Sequence, residues 1–209
     1  ESESEAHAIV QLSQPFPQPI TVTYSTEAGT ATSLADYIPV DNTMTFMPGT
    51  ISQTISLPLV PDELDEADET VLVRILPAEF VPETVTATVT IFDDDAASQL
   101  FFTSPTYVAA EVTGEALVTL RLDKPSGRPI EVRLATVGGT AVPHVDYVPV
   151  FTTVTFVPGD LVETVAIPLL PDLLQEGRET VEIQLGGLVN GEWGAVRTAV
   201  LTITDTHNI

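Results

Sequence analysis

GTATSLADYIPVDNTMTFMPGT, residues 29–50, returns 110 residues later as GTAVPHVDYVPVFTTVTFVPGD, residues 139–160. Gly-Thr-Ala, Asp-Tyr and Phe-x-Pro-Gly stand at the same offsets in both copies. The match runs without a gap from Pro15 and Pro125 to Asp62 and Asp172, and Asp62-x-x-x-Glu66-x-x-Glu69 is repeated as Asp172-x-x-x-Glu176-x-x-Glu179. Self-similarity at a fixed offset means one structural unit used twice, so the 209 residues divide into two domains. Acids recur along with core residues, and carboxylates kept beside turns in both copies point to cation sites.

Outward from these motifs the pattern is β. Val85, Ala87, Val89 and Ile91 alternate with Thr84, Thr86, Thr88 and Thr90, which predicts a strand with one core face and one wet face. Val71, Val73 and Ile75 alternate around Arg74 in the same way, and Val165, Ile167, Leu169 and Val181, Ile183, Leu185 repeat the period. The 17 Pro and 12 Gly between such runs break any long helix. Strands are predicted at 6–12, 20–26, 43–46, 53–58, 69–76 and 85–93. The second copy repeats them and adds an opening strand at 100–110. About seven short strands with turns at regular spacing make an all-β fold of two tandem immunoglobulin-like antiparallel β-sandwiches. Domain 1 is expected over 1–95 and domain 2 over 99–209. Because Glu111 aligns with Glu1, the segment from Gln99 to Ala110 has no counterpart in the first copy, which is expected to lack its opening strand and to leave a sheet edge open. The chain begins Glu-Ser-Glu-Ser and reads as a piece of something longer.

Composition narrows the partners. Seven Lys and Arg against 30 Asp and Glu give a net charge of −23, which repels nucleic acid and anionic membranes and attracts cations. The first copy, up to Asp95, holds 17 acids and a single base, Arg74; the rest holds 13 acids and six bases. At 44% hydrophobic residues the acidity belongs to a folded surface rather than a disordered polymer. The longest apolar stretches are strand-sized, so no membrane insertion is expected. With no Cys there is no disulfide framework and no thiolate metal site. His7, His144 and His207 carry no zinc spacing. No nucleophile elbow, phosphate-binding Gly loop or Ser-His-Asp order is present, and the acids sit on open loops rather than in an aromatic-lined cleft, so an enzyme is not expected.

Taken together, Gly-Thr-Ala, Asp-Tyr, Phe-x-Pro-Gly, Asp-x-x-x-Glu-x-x-Glu and the closing Ile91-x-Asp93-Asp94-Asp95 make both copies resemble Calx-beta domains, the modules of the regulatory loop of sodium/calcium exchangers that also occur in bacterial surface and extracellular matrix proteins. The resemblance implies calcium at one tip of the sandwich. Carried over by residue, the ligands in the first copy are Asp36, Asp62, Glu66, Asp93, Asp94 and Asp95, with Glu1 where the family places a further acid. In the second copy they are Glu111, Asp146, Asp172, Glu176 and Asp205. There the closing triplet has become Asp205-Thr206-His207, which implies a weaker site. Calcium takes six to eight oxygens at about 2.3–2.6 Å on backbone able to bend around it, which Asp-rich turns supply.

The resulting expectation is a calcium-binding tandem module of a larger extracellular or cell-surface protein, with calcium ions and neighbouring domains of the same parent chain as its partners, in which calcium beside Asp95 stiffens the joint. A calcium-dependent adhesion module that takes a glycan or protein ligand, and a calcium sensor of a transporter, are the alternatives. Trp193, in the turn Asn190-Gly191-Glu192-Trp193-Gly194, either stacks on such a ligand or covers an apolar patch. Phe46, Phe156, Tyr37 and Tyr147 are expected in the core.

Overall fold

The computed structural model describes residues 3–79 and 81–205. The chain forms two compact units, Glu1–Asp95 and Ala96–Ile209. Each is almost purely β because its apolar residues alternate, and Pro and Gly punctuate every run before a helix can form.

In the first unit the strands are β1 (Glu5–Gln11), β2 (Ile20–Ala28), β3 (Asp41–Phe46), β4 (Ser52–Pro58), β5 (Glu69–Ile75) and β6 (Val85–Ile91). One sheet runs β3-β2-β5-β6 and the facing one is the antiparallel pair β1-β4. The second unit has β7 (Gln99–Phe102), β8 (Thr106–Ala110), a 3-10 turn over Glu111–Thr113, then β9 (Glu115–Leu122), β10 (Ile130–Gly139), β11 (Phe151–Phe156), β12 (Val162–Pro168), β13 (Glu179–Val189), β14 (Glu192–Trp193) and β15 (Thr198–Thr204). Its sheets run β11-β10-β13-β15-β8 and β12-β9-β7-β14.

The predicted opening strand at 100–110 is in fact two strands on two sheets. β7 pairs antiparallel with β9, the chain turns at Ser104-Pro105, and β8 crosses over to pair parallel with β15. Pro105 has no N–H to offer a ladder, so the strand cannot continue through it. Parallel pairs, β8 with β15 and β14 with β7, are therefore present in an otherwise antiparallel fold.

The two cores differ. In the second unit a single cluster of buried side chains includes Leu100, Phe102, Leu120, Ile130, Phe156 and Tyr147. In the first unit the buried residues separate into two clusters, one around Ile20, Phe46 and Ile55, the other around Tyr37, Leu57 and Val71. Val71, Val73 and Ile75 are buried as the alternation requires. Val85 and Ala87, read from the sequence as core-facing, are instead exposed, Val85 by 57%. No strand lies beyond β6 among the described residues, so nothing covers them. Phe46, Phe156, Tyr37 and Tyr147 are each at most 2% exposed, as expected of core residues. Trp193 packs half-buried against the second core with the Arg197 guanidinium 5.5 Å from its ring centre, so it covers an apolar patch of its own unit.

The repeated motifs have structural causes. At Gly29 a Cβ would lie 2.6 Å from the Thr70 carbonyl oxygen, and at Gly139, where φ is +127°, it would lie 1.9 Å from that of Thr180. Only glycine permits that approach. It lets Thr30 and Thr70 clasp each other: Thr30 N–H donates to Thr70 Oγ1 (3.1 Å), and Thr70 N–H donates to Thr30 Oγ1 (2.9 Å). Ala31 N–H donates to the Thr70 carbonyl, with Ala31 itself buried beneath the clasp. Thr140 and Thr180 repeat it. In Phe-x-Pro-Gly the glycines Gly49 and Gly159 take left-handed φ values of 84° and 89°, turning the chain from β3 to β4 and from β11 to β12.

Candidate metal centre

The clasp anchors the loop that carries Asp36 to the start of β5, which carries Glu69. β2 and β5 are antiparallel, with Ala28 opposite Val71, and β5 and β6 are antiparallel, with Glu69 opposite Ile91. The loop after β2, the loop before β5 and the residues after β6 therefore all emerge at one end of the sandwich. Asp36, Glu66 and Glu69 each place one carboxylate oxygen within 4.8 Å of the others. In the second unit Asp146, Glu176 and Glu179 do the same.

Backbone donors hold the surrounding acids. Asp36 is 5% exposed and accepts a short bond from Thr32 N–H. Asp62 caps its own turn by accepting from Leu64 N–H (2.7 Å). Asp93 Oδ1 accepts from Glu66 N–H (3.2 Å), and Asp68 Oδ1 accepts from Asp93 N–H (3.2 Å), which ties the end of β6 to the acidic loop. The second unit repeats this scaffold. Asp146 accepts from Val142 N–H, Asp172 from Leu174 N–H (2.6 Å), and Asp205 Oδ2 from Glu176 N–H (3.1 Å). There Glu111, 6% exposed, also accepts from Asp172 N–H (3.0 Å).

The charges press on one another. Partial burial first, then the carboxylates of Asp36, Asp62, Asp93 and Asp95, push the Glu66 carboxyl above the ordinary carboxylate range. Burial followed by Asp146, Asp172, Glu111 and Asp205 does the same to Glu176. Glu179 is pushed up to about 7, by burial, then by its hydrogen bond to Asp146 and that group's charge, then by Glu176 and Glu111. Glu179 thus holds its proton far more tightly than an ordinary glutamate, and any cation bound there competes with it.

A raised folded-state value fixes the sign of the pH dependence. The contribution of Glu179 to the stability of the metal-free unit is full below its unfolded value near 4.5 and is lost as the pH rises to about 7. In chelator, the melting transition of the second unit is expected to fall between pH 4.5 and 7. Glu179→Gln should flatten that slope; an unchanged slope in the variant would assign the effect to other groups.

Of the acids singled out in the sequence, Asp36, Asp62, Glu66, Asp93 and Asp95 meet at the first tip, and Glu111, Asp146, Asp172, Glu176 and Asp205 at the second. Asp94 is exposed and lines a different groove, with Glu3, Ala6 and Phe92. Side chains alternate beyond the end of β6, so its two neighbours face the cluster while Asp94 faces away. Glu1 and His207 lie outside the described residues. Glu69 and Glu179 belong to the clusters although the sequence reading used them only as strand starts; the signal was their recurrence at the end of both acidic motifs.

The Calx-beta domain family matches residues 1–95 and again 93–207. Sodium/calcium exchanger 1 of Canis lupus familiaris is 29% identical over 187 residues, covering 79% of this chain and 19% of its own length. Adhesion G-protein coupled receptor V1 of Danio rerio is 27% identical over 230 residues, covering 95% of this chain and 4% of its own. The chain thus spans a fifth or less of the curated relatives it matches. Among solved structures, that described as the apo-form Calx CBD1 domain superposes with a TM-score of 0.51 at 23% identity, covering 53% of this chain and 99% of that one. With both halves matched, this chain belongs to the Calx-beta domain family and carries two of its domains in tandem.

Proposed function

We propose that the chain is a calcium-binding tandem module. The observation that carries this reading is the convergence of Asp36, Glu66 and Glu69 from separate loops within 4.8 Å, reproduced by Asp146, Glu176 and Glu179. Two such carboxylates repel by roughly 3 kcal/mol at an effective dielectric of 20, and a divalent ion turns that repulsion into attraction. The ion is calcium: a hard cation served only by oxygens, at a site rich in loop carboxylates that tolerate irregular coordination better than magnesium does. In the first unit Asp36, Glu66, Glu69 and Asp93 are its ligands, with Asp62 and Asp95 beside them. The second unit, lacking the acids that follow Asp93, binds more weakly through Glu111, Asp146, Asp172, Glu176, Glu179 and Asp205. Calorimetric titration of the whole chain is expected to give one stronger and one weaker calcium event and little heat from magnesium; equal responses to the two metals would contradict the assignment.

Asp95 ends the first unit and Ala96 begins the second, so the first site is adjacent in sequence to the joint. Calcium there tethers the residues leading into the joint and stiffens the tandem. Solution scattering is expected to show less flexibility with calcium than with chelator, and identical profiles would remove this part of the reading. A module of this kind works outside the cell or on its surface, where Kd values of about 10⁻⁴ to 10⁻³ M suffice. A Kd of 10⁻⁷ to 10⁻⁵ M would favour the sensor role instead.

A further inference from the structure

The outer face of the larger sheet in the second unit carries a groove whose chemistry the first unit does not repeat. It has a volume of about 220 Å³ and is lined by Arg133, Ala135, Val137, Phe151, Gln184 and Gly187, among others. Strand register explains its shape. Phe151 on β11 and Gln184 on β13 flank Ala135 on β10, and Gly186 lies beside Arg133, so a methyl group and bare main chain form the floor between larger side chains. Between the pairs Arg133–Gly186 and Glu131–Val189, β13 holds one residue more than β10, and Gly187 takes a φ of +63° in that bulge. A Cβ on Gly187 would lie 3.1 Å from Arg133 Nε, so the glycine also makes room for the guanidinium. The walls are apolar and open to water, Phe151 being 75% exposed and Val137 50%. Arg133 is exposed and makes no ion pair or side-chain hydrogen bond with the described residues. Subtracting 110 maps Val137, Phe151 and Gln184 onto Glu27, Asp41 and Arg74. There Glu27 holds Arg74 at 2.6 Å, so the first unit closes with its own ion pair the place that the second leaves open.

We propose that this groove binds one carboxylate-bearing sugar residue of an otherwise neutral glycan. Charge selects an anion. In a chain of net charge −23 the lining of the groove holds no acid, and its one cation, Arg133, presents a planar fork that matches a carboxylate. One cation serves one carboxylate, whereas a polymer acidic at every residue meets the repulsion of the whole chain. Form selects a sugar. The groove is smaller than the roughly 300–1,000 Å³ that enclose a free small molecule, which suits a single residue of a longer ligand lying across the surface. An extended peptide fits less well: β10 and β13 are paired on both sides in the sheet β11-β10-β13-β15-β8, so their main chains have no free ladder to offer it. The apolar C–H face of a sugar ring packs on the Phe151 ring, and the Gln184 amide donates to and accepts from its hydroxyls. No residue of the acidic tips takes part, so the site stands apart from the calcium reading.

The test titrates the full, isotope-labelled chain in chelator with methyl glucuronide and follows its NMR signals, with methyl glucoside as the neutral sugar and N-acetylphenylalanine as the carboxylate of a peptide terminus. The glucuronide is expected to bind with a Kd in the millimolar range and to shift the Arg133 Nε–H, the Phe151 ring and the Gly186 and Gly187 amides, while the amides of Ser25, Asp41 and Arg74 stay in place. Methyl glucoside should bind about tenfold more weakly or less, because it lacks the charge-assisted bond. Arg133→Gln should weaken the glucuronide by the same factor, and Phe151→Ala should weaken both sugars, with the melting temperature of the second unit unchanged in each variant. No shift at the groove, equal binding of the two sugars, or tighter binding of N-acetylphenylalanine would overturn the proposal. So would shifts that appear only after calcium replaces the chelator, since the sugar would then be held by a metal. Every other readout is taken without calcium, so failure of the metal assignment leaves this result intact.

Discussion

Glu66→Gln is expected to change the stability of the first unit in opposite directions with and without calcium. In chelator, the wild-type Glu66 carboxylate is charged against Asp36, Asp62, Asp93 and Asp95, which already hold its proton more tightly than an ordinary glutamate would. Removing the charge relieves that repulsion while leaving the Glu66 N–H bond to Asp93 intact. Because Glu66 is largely open to solvent, screening limits the gain to a few tenths of a kcal/mol, a rise of about 1–4 °C in melting temperature for a unit of this size. With calcium at a hundredfold over Kd, the wild type gains about 2.7 kcal/mol by mass action. The variant has lost an anionic ligand and loses most of that gain. The two melting curves therefore cross between chelator and saturating calcium. A variant destabilised in both conditions would mean that Glu66 holds the loop by packing and not by charge. Asp94→Asn serves as the control, since Asp94 lines a different groove, and should leave the calcium response near that of the wild type.

Gly139→Ala is the second large effect. The added methyl would stand 1.9 Å from the Thr180 carbonyl oxygen, at a φ of +127° that alanine does not comfortably adopt. Neither neighbour is a flexible side chain that can swing away: both are main chain, in β10 and β13, paired through Gly139 and Val181. Overpacking and backbone strain each cost about 1–3 kcal/mol, so a loss near 4 kcal/mol is expected, roughly 15–30 °C in the melting of the second unit. Because Thr180 follows Glu179, the displaced strand also moves a carboxylate of the acidic cluster, and calcium binding by that unit should weaken in parallel. Gly159→Ala is the comparison. It shares a left-handed φ, +89°, but has nothing within 4 Å of the new methyl, and should cost only about 1 kcal/mol. Equal losses in the two variants would show that backbone conformation alone, and not the close approach at the Thr140–Thr180 clasp, makes glycine necessary.

How far the sequence carried these results differs from element to element. Val71, Val73 and Ile75 alternate and are buried, and the tandem repeat divides the chain, because side-chain period and self-similarity are local properties of the string. The convergence of Asp36, Glu66 and Asp93 was readable once β2, β5 and β6 were taken as antiparallel neighbours, since alternate connections of such strands open at the same end. Three features were not readable. Val85 and Ala87 carry a core pattern, yet their burial depends on a covering strand that the pattern of β6 itself does not encode. The break at Ser104-Pro105 looks like a turn, but whether a turn returns a strand to its own sheet or sends it to the other is decided by the tertiary partners of β7 and β8. The outward placement of Asp94 and the inward placement of Glu69 turn on strand phase at the loop ends, where a one-residue shift exchanges the two faces.

Whether carboxylates from separate loops of one tip hold a divalent cation is tested most directly by anomalous X-ray diffraction from crystals of the chain grown with calcium. The expected result is an anomalous peak in the first unit about 2.3–2.6 Å from carboxylate oxygens of Asp36, Glu66 and Glu69. Calcium bound instead on the Glu3 and Asp94 side, or an ordered tip with no peak at saturating calcium, would contradict it.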